Sequence, residues 1–335
     1  MEWLELKTYK NAVMKKIFVL LILSIAIVSC YDDYIKDYDF NAVYFTYQFD
    51  TRTFVVGEGM EIEIGVALSG TMDNKIDRNV SFSIDDALVT PAVLTAMKGG
   101  ATYIKNAVSG VTALSPIPAS YYTLSDNDNM VIKAGQHSGS VTLKADSATF
   151  LADAGTLSAK YALPLYITSA DADSILETKR SSVIGLKYES MLFGNYWHGG
   201  VTAVKDPAGT TIQTINYFTA IPTPENTIWK LTTVGPNTLV TNGYSNNTSS
   251  KGEMRLTLDG GNIVVSSNTG STFVIEPDGA SSFNRARLLQ DRKIYLKYKY
   301  VNAAGNTCYA SDTLTFRNRI RDGVNEWQDE NPLHY

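Results

Sequence analysis

Beyond residue 40 the apolar side chains recur at every second position, in short runs broken by turn residues. The clearest run is Lys293-Ile294-Tyr295-Leu296-Lys297-Tyr298-Lys299-Tyr300. Ile294, Leu296, Tyr298 and Tyr300 fall on one side of it, and the lysines with Tyr295 on the other. A period of two belongs to a half-buried strand, because successive Cβ atoms point to opposite faces. Residues 61–68, 80–84 and 140–143 alternate in the same way. Gly, Asn, Asp and Pro separate the runs, and no convincing long amphipathic helix intervenes. This predicts an all-β architecture. Two short helical stretches are expected, at 86–94 and 147–154, and 99–122 reads as loop. Residues 161–167 read as a strand that Pro164, lacking an N–H, drives to a sheet edge or a bulge.

At 335 residues the chain is long enough for two domains. Residues 41–188 hold about seven short strands, which suits an immunoglobulin-like β-sandwich. Near residue 189 aromatic, Asn, Thr and Gly content rises. Trp197, Trp229 and Trp327 all lie beyond it, and acidic excess gives way to charge balance. Residues 189–335 read as a meander of hairpins. One turns through Asp259-Gly260-Gly261-Asn262, another through residues 302–306 into a strand ending at Leu314-Thr315-Phe316. Such a meander closes most easily into an antiparallel, lipocalin-like β-barrel.

The start of the chain reads as an address. Met14-Lys15-Lys16 precedes twelve uncharged residues, 17–28, and then Ser29-Cys30. That is the pattern of a secretory signal, and twelve residues is short of the about 20 needed to span a bilayer. Met14 reads as the true start, with 1–13 upstream and 1–29 removed. Ile27-Val28-Ser29-Cys30 resembles the bacterial lipobox, which implies diacylglycerol on Cys30. Residues 30–40 (Tyr31-Asp32-Asp33-Tyr34 onward) form an acidic tether that looks like the surface-export signal of Bacteroidetes lipoproteins. The remaining thiol, Cys308, lies in a strand-like run and reads as a small buried hydrophobe.

Lipobox, tether, sandwich and meander together resemble a Bacteroidetes family of two-domain surface lipoproteins found with glycan-capture systems of the starch-utilisation type. The matching stretches are Val43-Tyr44-Phe45, residues 65–70, 80–85 and 161–167, and above all 288–298 and 312–327. The resemblance implies an outer-membrane, cell-surface location, an uncharacterised immunoglobulin-like first domain and glycan binding beside an uptake channel of the TonB-dependent type. It supplies no binding residues. Gly194-Asn195-Tyr196-Trp197 is also similar to the Gly-x-Trp that opens lipocalin barrels, with Tyr in the third place. On that likeness Arg317 or Arg319 would pack on the aromatic at the closed end.

The residues themselves favour a non-catalytic glycan binder. Trp229 or Tyr244 would stack on a sugar ring, with Asn246 and Asn247 bonding hydroxyls in the polar loop 244–250. Trp197 and Trp327 read as barrel core. One alternative is a structural or docking protein that meets an acidic partner through Lys293, Lys297, Lys299, Arg317, Arg319 and Arg321, a face that reads more simply as solvated. Another is a lipocalin-like binder of a small apolar ligand. A glycoside hydrolase is weighed lowest. It needs two carboxyls about 5–9 Å apart, whereas Asp85-Asp86, Asp126 and Asp128, Asp171 and Asp173, and Glu276 and Asp278 all sit in turn-like contexts. With net charge −5 there is no basic stripe for nucleic acid. The EF-hand glycine and closing glutamate are missing after Asp126, and His137, His198 and His334 lack ligand spacing. No metal, cofactor or catalytic residue is expected.

Overall fold

The computed structural model describes residues 40–217 and 226–328. The signal segment, Cys30 and nearly all of the tether lie outside the described residues. The first unit contains β1 (Ala42–Tyr44), β2 (Phe49–Val56), β3 (Glu61–Ser69), β4 (Arg78–Ile84), β5 (Ser115–Pro116), β6 (Tyr122–Leu124), β7 (Asn129–Ile132), β8 (Ser138–Ala145), β9 (Tyr161–Ala170), β10 (Ser174–Ile175) and β11 (Ser181–Ser190). They form two sheets, ordered β10-β1-β3-β8-β6 and β2-β11-β9-β4-β7, with β5 beside β9. Apolar residues from both sheets meet in one core that includes Val43, Ile64, Val80, Leu143, Leu163 and Leu186. Phe150, fully buried, stands edge-on to Phe54, Tyr121 and Tyr188.

Three short helices decorate this sandwich: α1 (Pro91–Gly99), α2 (Thr102–Ala107) and α3 (Ser147–Ala152). Thr90 and Asp146 cap α1 and α3 by accepting from Val93 N and Thr149 N, and Pro91 takes the first helical position. Residues 86–88 are a 3-10 turn, so the helix expected at 86–94 begins five residues later. The helix α2 falls in the stretch read as loop. Its six residues are too few to show a helical period, and it is held by burying Ile104 and Ala107 against Met97 and Ala159.

Pro164 corrects the sequence reading. The strand β9 runs inside its sheet, between β11 and β4. The Pro164 carbonyl accepts from Asp85 N, so its missing N–H faces the same way, past the end of β4 where the chain turns off at Asp86. No ladder bond is lost, and the residue needs no edge.

The second unit follows with β12 (Gly194–Lys205), β13 (Thr211–Tyr217), β14 (Thr227–Gly235), β15 (Thr238–Thr241), β16 (Gly243–Tyr244), β17 (Asn247–Thr248), β18 (Met254–Asp259), β19 (Asn262–Ser267), β20 (Ile275–Pro277), β21 (Ser281–Phe283), β22 (Lys293–Val301), β23 (Thr307–Arg321) and β24 (Val324–Glu326). The meander β12-β14-β15-β18-β19-β21-β22-β23 closes on itself because β23 pairs with β12 from Thr307↔Lys205 to Asn318↔Asn195. The alternation in β22 appears as read: Ile294, Leu296 and Tyr298 are wholly buried and Tyr300 nearly so. With Tyr196, Trp229, Leu231, Leu256 and Leu314 they fill the barrel as one packed cluster. That interior gives no support to the apolar-ligand alternative. Among the described residues no helix is long and apolar enough to cross a membrane.

Candidate functional site

The two units meet at a charged seam. Glu58, in the turn between β2 and β3, reaches into the barrel's near end. There it accepts from Arg319 Nη1 and Nη2 at 2.8 and 2.9 Å and pairs with Arg292 at 2.7 Å. Both arginines are almost fully buried. Arg292 also donates to the carbonyls of Met191, Ala286 and Arg287, and Arg319 to Glu326. Burial by itself would raise the Glu58 carboxyl, but the two guanidiniums outweigh it and hold the pKa below the ordinary value. Thr53 donates to Asp322 from both its N–H and its hydroxyl, and Val55 joins the barrel core.

Beside this seam opens a cleft of about 820 Å³, lined from the first unit by residues 56–59 and Glu61 and from the barrel by the turns at Pro236–Asn237 and Leu258–Gly260 and by Phe283 and residues 285–287. This is within the size range of ligand pockets, and domain interfaces are a favoured place for them. Glu61, Asp259, Arg285 and Arg287 stand exposed around it, over an apolar floor of Leu258, Phe283 and half-buried Met191. Arg285 lies against the Gly260–Gly261 turn and has no ion-pair partner among the described residues. Gly260 has φ 61°, a conformation that tight hairpin turns favour and that glycine adopts without strain.

A second polar cluster lies inside the barrel, farther from the sandwich. The Asp312 carboxylate accepts from the Tyr217 hydroxyl at 2.9 Å and the Tyr298 hydroxyl at 2.6 Å. Desolvation first, and the Asp312 charge second, push both phenols above their usual pKa. The Thr202 hydroxyl lies 2.6 Å from that of Tyr217 and 3.0 Å from that of Ser245. The Ser245 N–H donates to Tyr298. His198 Nε2 is 3.2 Å from Asp312 Oδ1, but off the line of a hydrogen bond. Neither ring nitrogen of His198, nor Trp229 Nε1, has a hydrogen-bond partner among the described residues.

These positions sort the residues read from the sequence. Trp229 is a correction: it points inward with Leu231 and is fully buried. One indole face is stacked on His198 at 4.1 Å, and the backbone of Gly243 covers the ring so closely that a Cβ there would overlap it. In this state it offers no face to a ligand. Tyr244 is half-buried against Phe273 and Tyr300. Asn246 and Asn247 are exposed on the β16–β17 hairpin, where Thr227 donates to Asn246 at 3.4 Å. Two further expectations fail. Trp197 sits on the outer surface under the Arg317 guanidinium, because Tyr196 takes the inward position, and Trp327 is 56% exposed. Of the arginines expected to cover the closed end, Arg319 lies over Phe193 instead of Tyr196.

Four of the eight carboxyls weighed for hydrolysis are engaged by nearby backbone N–H groups. Asp85 caps Ala87 N, Asp126 accepts from Asp128 N and Asn129 N, Asp171 from Asn79 N, and Asp173 from Asn41 N. Among the described residues no three His, Cys, Asp or Glu side chains are grouped to hold a metal ion. The sequence reading missed Glu58, Arg285 and the Asp312 cluster. Only Asp312 carried a local signal, as a charge inside a run that otherwise alternates apolar.

A family model for an N-terminal domain matches residues 35–174. No curated protein matches the chain. Among solved structures, a Bacteroides ovatus protein of unknown function is 21% identical, with TM-score 0.60, over 87% of this chain and 99% of its own. A second Bacteroides ovatus protein of unknown function is 11% identical, with TM-score 0.43, over 87% of this chain and 100% of its own. A Bacteroides ovatus multidomain protein including DUF1735 is also 11% identical, with TM-score 0.41, over 84% of this chain and 95% of its own. The first of these likenesses is one of fold: over most of its length, this chain shares its β architecture with a protein from Bacteroides ovatus.

Proposed function

We propose that this chain is a non-catalytic surface lipoprotein, anchored through Cys30, that binds an oligosaccharide in the cleft between its two units and serves an outer-membrane uptake channel. The cleft carries this reading. Its exposed groups, Glu61, Asp259 and Arg285 with Asn237, mix hydrogen-bond donors and acceptors in balance over an apolar floor. A sugar presents the same mixture: hydroxyls that both donate and accept, and C–H faces that shed water. Glu58 is poorly placed for acid catalysis, since two arginines hold its carboxylate ionised. The seam beside the cleft keeps the two walls in fixed relation, which lowers the ordering penalty of binding.

The test is a glycan array probed with the soluble chain beginning at Tyr31. The expectation is selective binding, weakened about tenfold by Arg285→Ala, the loss of roughly one charge-assisted hydrogen bond. A folded sample that binds no glycan refutes the reading. The anchor is tested separately by labelled palmitate, whose incorporation should vanish in Cys30→Ser.

A further inference from the structure

We infer that the barrel holds a second ligand site, closed in this structure by its own β16–β17 hairpin, and that this site takes a neutral sugar ring. The choice of a sugar rests on the saccharide-binding reading above; the existence of the site rests on three observations. The first is the set of unpartnered atoms. His198 Nδ1 and Nε2 and Trp229 Nε1 lie buried together on two stacked rings. Packed interiors rarely leave polar atoms without partners, and among the described residues His198 Nδ1 and Trp229 Nε1 have none, while His198 Nε2 has only the misaligned 3.2 Å contact to Asp312.

The second is how the hairpin fills that spot. Gly243 packs against the indole so closely that no Cβ fits between them, where the C–H face of a sugar would pack. The Ser245 hydroxyl and N–H enter the nest made by Thr202 and Tyr298, as sugar hydroxyls would. The chain thus occupies its own site with an imitation of a ligand, yet among the described residues it offers no hydrogen bond to Trp229 Nε1 or His198 Nδ1. Asp312, the carboxylate in the nest, is already engaged by two phenols, which favours a neutral ligand over a cation.

The third is the weakness of the closure. β16 and β17 make a separate ladder of two residue pairs, Gly243↔Thr248 and Tyr244↔Asn247, which takes no part in the barrel sheet. A two-stranded hairpin has little stability of its own. Ser245 holds φ 43° without being glycine, and Asn246, Asn247 and Thr248 face solvent. The hairpin can therefore swing out while the barrel ladders stay intact. It follows Thr241, at the opposite end of β15 from the turn that lines the interdomain cleft, so the two sites are independent.

The experiment uses the soluble chain from Tyr31 and calorimetry with maltohexaose, xylohexaose and mannohexaose. Gly243→Ala places a methyl in the indole and holds the hairpin out. Affinity for one of the hexaoses should then rise about tenfold, because the competent state no longer has to be opened. Adding Trp229→Leu should abolish the gain. A purely structural hairpin would give lower thermal stability with unchanged or weaker binding. In the wild type, the Ser245 amide should exchange with solvent through an opening less costly than global unfolding. An amide that exchanges only on global unfolding overturns the site whatever the ligand. Binding unchanged by Gly243→Ala but weakened by Arg285→Ala overturns the barrel site and leaves the cleft reading standing. Absence of binding by every variant overturns both.

Discussion

Glu58→Gln tests whether the seam joins the units as its geometry implies. The substitution keeps the shape and removes the charge that faces Arg292 and Arg319. Breaking a buried ion pair from one side costs about 3–5 kcal/mol. Here Arg292 retains three carbonyl acceptors and Arg319 retains Glu326. The expected loss is therefore at the lower end, about 3 kcal/mol. For a chain of 335 residues that lowers the melting temperature by roughly 4–5 °C. The effect should depend on pH. The folded pKa of Glu58 lies below 4.5, so its contribution is complete above the unfolded value and disappears as pH falls through the folded one. Burial raises the nearby Asp322, whose contribution runs the other way and is lost as pH rises. The quantity to measure is thus the difference between wild type and Glu58→Gln in urea unfolding, from pH 7 down to about 3. A difference within about 0.5 kcal/mol at pH 7, as for a surface pair, would refute the account. So would a difference that grows on acidification.

Phe150→Ala should cost about 3–5 kcal/mol in urea unfolding, since three aromatic neighbours stand edge-on to a ring with no solvent contact. Asp312→Asn should destabilise by about 1–3 kcal/mol, because it replaces a double acceptor facing two phenols with a group that also donates. Tyr217 and Tyr298 should stay protonated well beyond the ordinary phenol range in an absorbance titration of the folded chain. Their raised pKa values mean that stability falls as pH climbs above about 10, where the unfolded chain ionises first. Early ionisation of both phenols in the folded chain would show that the cluster is open to water.

The sequence by itself determined the local elements. Alternation assigned both faces of β22 correctly, and turn residues placed the β18–β19 hairpin at Asp259-Gly260-Gly261-Asn262, because face and turn type are set by neighbours one to three residues apart. Where alternation was equivocal it failed. Trp229 shared a face with Leu231 but opposed Ile228, and Trp197 follows Tyr196 in a run without clear polarity, so barrel closure alone decided which of them is inside. Pro164 misled because a missing donor matters only on a side that has a partner, and where β4 ends is a fact of the sheet. The functional geometry was least legible. Glu58 meets Arg319 across 261 residues, and Asp312 reaches Tyr217 across 95. Such pairings depend on strand register and on how one unit docks against the other, and nothing within a few residues of either partner encodes the distance between them.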